Sequence, residues 1–320
     1  MKNQFSDQRR KVVVVGAGAV GATYCYSLAQ SGLADDIVLI DKNNDLLQGQ
    51  VLDLVHGQPF FPTVSITAGS PEDYADASLV VVTAGVGQKP GESRMELLKK
   101  NSMIVGDIAA QVAEQNCPGV LLIVSNPVDV MTYVAIKRTG WDRGRVFGSG
   151  TVLDSARLRY LLSTHCNIDV HNVHAYILGE HGDSEFAAWS LTNIAGIPID
   201  EYCQNCGNCG GWKTVKDGIE NEVRRSAYEI INYKGATNFA VGLAIVRITA
   251  AILRGQRSVL SISTILNGEF GISDVCLSVP VIASEKGVIT ILKSPFPENE
   301  IKALKNSAEI IGKAIKEAGF

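Results

Sequence analysis

Asp154 and Arg157 stand three residues apart in Thr151-Val-Leu-Asp-Ser-Ala-Arg-Leu-Arg159. On a helix that spacing puts a carboxylate and a guanidinium on one face. Pairs of this kind are common as plain ion pairs on helix surfaces. A histidine further along offers the pair a second use. His181 lies in Leu178-Gly-Glu-His-Gly-Asp-Ser184, a stretch rich in glycines and acids that reads as a loop. An imidazole titrating at about 6.5 can both give and take a proton. A buried carboxylate such as Asp154 would fix its tautomer and stabilise its charged form. The chemistry on offer is general acid–base catalysis, although a lone histidine in a glycine-rich loop also fits a structural role.

The elements that would position these groups begin at Lys11-Val-Val-Val-Val-Gly-Ala-Gly-Ala-Val-Gly21. Four valines predict a buried parallel strand that runs into Gly16, Gly18 and Gly21 and then a helix. In such a turn the first glycine allows the sharp bend, the second lets backbone approach a pyrophosphate, and the third lets the helix sit close on the sheet. The helix N-terminus offers N–H groups to phosphates. A second strand, Ile37–Ile40, ends in Asp41. This is about 20 residues beyond the glycines, where a carboxylate accepts both ribose hydroxyls. It would repel a 2′-phosphate, so the expected cofactor is NAD and not NADP.

Strand-like runs at Val64–Ala68, Leu79–Thr83 and Val120–Val124 alternate with helical stretches, the rhythm of a doubly wound (Rossmann) α/β sheet. Thr83-Ala-Gly85 and Val124-Ser-Asn-Pro127 end strands, where ligands collect in such sheets. From about Gly148 the pattern changes to long helices and irregular strands. The expected division is a NAD-binding domain at 1–147 and an α+β substrate domain at 148–320. Within the second, the Gly235-to-Leu253 run reads as a buried helix and Lys302–Ala318 as an amphipathic one, with strands at Leu260–Leu266 and Val275–Ile282 between them.

With 320 residues the chain can bury a large core, and 29 basic and 33 acidic residues are interspersed, which argues against a nucleic-acid partner. No apolar run reaches membrane-spanning length and Met1–Arg10 has no signal-peptide core, so a cytoplasmic location is expected. Seven cysteines then read as thiols and not as a disulfide frame.

Taken together the motifs resemble the lactate/malate dehydrogenase family, and within it the L-lactate dehydrogenases, over nearly the whole chain. Those motifs are Gly16–Gly21, Thr83–Arg94, Ser125-Asn-Pro-Val-Asp129, Gly148–Arg157 and Gly179–Ser184. The resemblance implies that His181 is the proton donor to the carbonyl oxygen and the base in reverse, with Asp154 orienting it. Arg157 would grip the substrate carboxylate with its planar fork. Arg94, at the end of a loop with Gly85, Gly87, Pro90 and Gly91, would swing in to polarise the carbonyl as that lid closes. Asn126 would hydrogen-bond the substrate oxygen, and Thr237 would line the pocket, with Val241 against the nicotinamide. Val20, Thr83, Ala84, Gly85, Val124 and again Asn126 complete the implied dinucleotide contacts.

Gln88 bears on the choice of 2-hydroxy acid. The malate branch is similar but carries arginine at this position, because a second carboxylate needs a cation in a dry site. Gln88 offers none, so pyruvate and lactate are expected, with neighbouring Lys89 held in solvent. Arg159 is two residues from Arg157 and so faces the other side of its helix. The resemblance pairs it with His174 in a fructose 1,6-bisphosphate site at a subunit interface, acting through a homotetramer. An interface pair without an effector is the alternative, and His171 replaces a residue that is often arginine in such relatives. Cys203, Cys206 and Cys209 depart from the family pattern. Their spacing suits zinc or an iron–sulfur cluster, but no fourth ligand is near in sequence, so no metal is expected. Malate dehydrogenase, a catalytically silent NAD sensor and a thiol-bound metal module are the rival readings.

Overall fold

The computed structural model describes residues 9–87, 91, 93–205, 207 and 211–320. From the start, β1 (Lys11–Val15), α1 (Ala19–Ser31), β2 (Asp36–Ile40), α2 (Asn44–His56), β3 (Ser65–Ala68) and β4 (Leu79–Val82) follow in turn. Then come α3 (Arg94–Glu114), β5 (Val120–Ile123), α4 (Val128–Thr139) and β6 (Val146–Gly148). The second half opens with α5 (Val152–Cys166) and five two-residue strands: β7 (Val173–His174), β8 (Ile177–Leu178), β9 (Phe186–Ala187), β10 (Asn193–Ile194) and β11 (Ile197–Pro198). It continues through α6 (Ile199–Asn205), α7 (Trp212–Lys234), α8 (Phe239–Leu253), β12 (Ser258–Asn267), β13 (Ser273–Ser284), β14 (Gly287–Ile291) and α9 (Glu298–Ala318).

The main sheet runs β14-β13-β12-β6-β5-β4-β1-β2-β3. Strands β1 to β6 are parallel, and β12 joins them antiparallel with Ser263 opposite Gly148. Helices cover both faces of the parallel part, so its central strands β4 and β5 are apolar throughout, whereas the edge strand β3 alternates. Val12, Val13, Val14 and Leu79 to Val82 are fully buried. Each such side chain contributes roughly 1.5–3 kcal/mol, an upper bound set by an extended unfolded chain. Strand order reverses at β1, whose neighbours are β2 and β4, and an open sheet of this kind has its ligand crevice at that reversal.

Two elements differ from the sequence reading. The Gly235-to-Leu253 run is not one helix, because Gly235 takes a left-handed φ of +83° as the C-cap of α7, and α8 starts only at Phe239. Nor is α8 buried all round: Ile245, Ile248 and Ile252 face the core while Phe239 and Leu243 are exposed. The amphipathic terminal helix starts earlier than Lys302, at Glu298 behind an extended Pro297. Among the described residues no helix is long and apolar enough to cross a membrane.

Candidate active site

At the carboxyl ends of β1 and β4 the glycines divide by task. A Cβ on Gly16, which has φ +109°, would lie 2.7 Å from the Ala84 nitrogen, and one on Gly21 would lie 1.9 Å from the Gly16 oxygen. Both positions are closed by packing. A Cβ on Gly18 would meet no protein atom within 4 Å, so its backbone borders open cleft. The first intrahelical bond of α1 runs from Ala22 N–H to the Gly18 oxygen, leaving the N–H groups ahead of it directed at the cleft. Asp41 is oriented from both sides, with its Oδ2 accepting from Ala17 N at 2.7 Å and its Oδ1 from Asn43 N at 2.8 Å. Thr83 Oγ1 donates to the Gly16 oxygen at 3.0 Å, tying β4 to the turn. A close glycine cradle, a helix start and a fixed carboxylate fit a dinucleotide.

Val20, Thr83, Gly85, Val124, Thr237 and Val241 line one cavity of about 330 Å³, which His181, Asn126 and Arg157 also reach. Ala84 is half-buried behind it. A second cavity, of about 470 Å³, shares those three residues and runs out to Arg94, Asp183 and Tyr228. The same three side chains thus stand between two adjoining spaces.

Asp154 is in the first turn of α5, where the helix N-terminus favours a negative charge. Its Oδ2 accepts from His181 Nδ1 at 2.7 Å and its Oδ1 from Arg157 at 2.6 Å. Burial would raise its pKa, but His181 and Arg157 hold it below the usual carboxylate range. Burial works against a charged imidazole, but the Asp154 carboxylate outweighs it and the His181 pKa is pushed up to about 9. With Nδ1 engaged, Nε2 is the nitrogen left to exchange a proton. The ion pair expected of Asp154 and Arg157 is therefore present, and it is part of a three-residue chain that ends at the histidine.

The loop bearing His181 is braced from three elements. From α4, Asp129 accepts the His181 backbone N–H at 2.8 Å, and its other oxygen accepts from Ser263 of β12 at 2.5 Å. Burial pushes the Asp129 pKa up to about 6 against the pull of those two donors. From β13, Ser278 exchanges both backbone hydrogen bonds with Gly179. From α9, Ser307 donates to the Ser184 carbonyl at 3.0 Å, and Glu300 accepts from the Ser190 hydroxyl at 2.6 Å. Gly179, at φ +94°, is closed to a side chain because a Cβ would lie 2.6 Å from Ser307 Oγ.

Sequence reasoning gave Asp129 and Glu185 no role. Asp129 had a signal: it is a lone charge in the apolar run Val128-Asp-Val-Met-Thr-Tyr-Val-Ala-Ile136. Glu185 precedes Phe-Ala-Ala-Trp189 and is buried, its carboxyl within 4.8 Å of ligand atoms of both Asp154 and His181. Three such groups could hold a metal ion, but Arg157 already holds one Asp154 oxygen and His181 the other.

The other expected residues fall in different places. Arg94 is exposed at the first position of α3, on the rim of the larger cavity. Gln88, Lys89 and Pro90 lie outside the described residues, as do Cys206 and Cys209, whereas Cys203 is buried in α6. Arg159 points away from Arg157, donating to the Ala175 carbonyl at 3.0 Å and lying 5.3 Å over the Tyr176 ring, beside an exposed His174.

The chain matches two family models: lactate/malate dehydrogenase, NAD binding domain, over residues 10–148, and lactate/malate dehydrogenase, alpha/beta C-terminal domain, over 151–319. It is 56% identical to an L-lactate dehydrogenase of Treponema denticola, across 98% of this chain and 99% of that one. It is 51% identical to an L-lactate dehydrogenase of Thermoanaerobacter pseudethanolicus, across 96% and 98%. Among solved structures, it superposes with a TM-score of 0.95 on a lactate dehydrogenase from a deep-sea metagenome library, at 43% identity over 98% of this chain and 100% of that one. The minor L-lactate dehydrogenase of Enterococcus mundtii gives 0.93 at 38% identity, over 96% and 98%.

Proposed function

The chain belongs to the lactate/malate dehydrogenase family, and from that premise we propose that it is an L-lactate dehydrogenase, reducing pyruvate reversibly with NADH. The observation that carries this reading is the Arg157–Asp154–His181 chain, standing where the dinucleotide cleft adjoins the larger cavity. Bound between Gly18 and Asp41, NADH supplies the hydride. His181 Nε2 gives its proton to the ketone oxygen while Asp154 stabilises the imidazolium. The free side of Arg157 holds the substrate carboxylate, and Asn126 supports the oxygen that receives the proton. Arg94 moves in from the rim to polarise the carbonyl. Gln88 rejects a second carboxylate, which favours pyruvate over oxaloacetate.

The same reading includes a cytoplasmic homotetramer with fructose 1,6-bisphosphate bound at Arg159 and His174. Support comes from the orientation of Arg159, whose guanidinium is turned from the substrate toward the strand carrying His174.

Steady-state NADH oxidation with pyruvate and with oxaloacetate, each with and without fructose 1,6-bisphosphate, tests these points together. We expect strong preference for pyruvate and a bisphosphate-dependent fall in KM that His174→Ala abolishes. Preference for oxaloacetate would sink the Gln88 argument, and indifference to the bisphosphate would leave Arg159 and His174 as interface residues. Wild-type kcat/KM for pyruvate should hold through neutral pH and fall as pH rises through about 9, where His181 loses its proton.

A further inference from the structure

Glu185 is a buried acid for which the mechanism above has no use. It is 4% exposed, lines the larger cavity, and sits within 4.8 Å of Asp154 and His181. Among the described residues its carboxyl group has no ion-pair partner. The two arginines near it are committed elsewhere. Arg157 is held by Asp154, and Arg224 pairs with Glu220, hydrogen-bonds Asn221 and gives its Nε–H to the backbone carbonyl of Glu185 and not to its side chain. A carboxylate buried beside another carboxylate, without a cation of its own, is costly when ionised.

We propose that Glu185 is a positioning residue of the active site, held as the neutral acid beside the Asp154–His181 pair, and that its ionisation keeps His181 protonated further into the alkaline range. The proposal rests on the dehydrogenase reading for its kinetic test. Burial first, and then the Asp154 charge, push the Glu185 pKa up to about 9, against pulls from His181, Arg157 and Arg224. His181 is raised to about the same value, and Glu185 is one of the groups that raise it. Two neighbours titrating together lose protons in steps that belong to the pair. When Glu185 ionises first, its charge stabilises the imidazolium, and His181 keeps its proton to higher pH.

The other charges facing this pair all enter the balance. From α4, Asp129 faces the His181 backbone. From α5 come Asp154 and Arg157, and from α7 Arg224 with its partner Glu220. The loop supplies Glu180 and Asp183, and Arg94 stands at the rim. Glu185→Gln copies the shape of the neutral acid and removes only its ionisation.

The test compares pH profiles of kcat/KM for pyruvate reduction in the wild type and in Glu185→Gln, with the alkaline midpoint as the readout. We expect that midpoint to fall by about half a pH unit or more, because the imidazolium loses a stabilising charge. The acid limb of lactate oxidation, which needs the neutral imidazole, should move down with it. A profile that changes height with its midpoints unmoved would overturn the proposal, since a merely structural role scales the curve. Infrared spectroscopy decides the protonation state without turnover. The wild type at neutral pH should show a buried carboxylic-acid C=O band that Glu185→Gln lacks, and its absence would overturn the proposal even if the variant proved unstable. A wild type that turns over no pyruvate would overturn the dehydrogenase reading alone, because the infrared band is read on the resting protein.

Discussion

The dinucleotide cleft and the His181 loop are neighbours in space but are built by opposite routes. The glycine side of the cleft is made by segments that each fold locally, a valine strand, a glycine turn, a helix start and a strand ending in Asp41, and apart from that carboxylate its contacts are backbone atoms brought close. The His181 loop has almost no regular structure of its own. Its position is set by side chains from α4, α5 and α9 and by strands β12 and β13. A surface that binds repeated phosphate and ribose groups can be made from main chain, whereas a proton donor needs one side chain fixed to within a few tenths of an ångström.

Separating the two regions is the sharpest way to test that contrast. Asp154→Asn should cut kcat for pyruvate by on the order of a thousandfold to ten-thousandfold, because the imidazole loses both its orientation and its counter-charge. NADH affinity, read by fluorescence titration, should stay unchanged, and a matching loss of NADH binding would mean that the regions are not independent. Within the cleft, Gly21→Ala should lower the unfolding free energy by about 1–3 kcal/mol, since its Cβ has no room. Gly18→Ala should leave stability within about 0.5 kcal/mol and weaken NADH roughly tenfold, about 1.4 kcal/mol. Equal stability losses in the two glycine variants would break the division of labour between them. An effect of similar size belongs to the brace. Ser263→Ala leaves the buried Asp129 with one donor fewer and should cost about 1–2 kcal/mol in denaturant unfolding. Urea titration would show it, and an unchanged midpoint would remove Ser263 from the support of the loop.

The same contrast explains what could be read in advance. The parallel strands, the glycine turn and Asp41 were legible because their signals are local and periodic. Asp154 and Arg157 were legible as a pair because three-residue spacing fixes a helix face. Which of an ion pair and a catalytic pair they form depends on a loop 27 residues away, and spacing alone could not decide it. Glu185 gave no signal, since an acid at the end of a polar loop looks solvated until the apolar residues behind it pull it inside. Gly235 was misjudged for a related reason: an apolar run suggested one helix, while a single left-handed residue ends one helix before the next begins.

The brace supplied by α9 also has a meaning in time. A ribosome releases this helix well after the His181 loop, yet Ser307 and Glu300 hold the segment that carries His181 and follows it. The glycine turn, the start of α1 and Asp41, by contrast, are encoded within residues 11–41 and are available to fold before the later lining residues Val124, Thr237 and Val241 are made. During its own synthesis the molecule therefore forms the glycine turn of the cleft before it acquires a settled position for His181, which waits for α9.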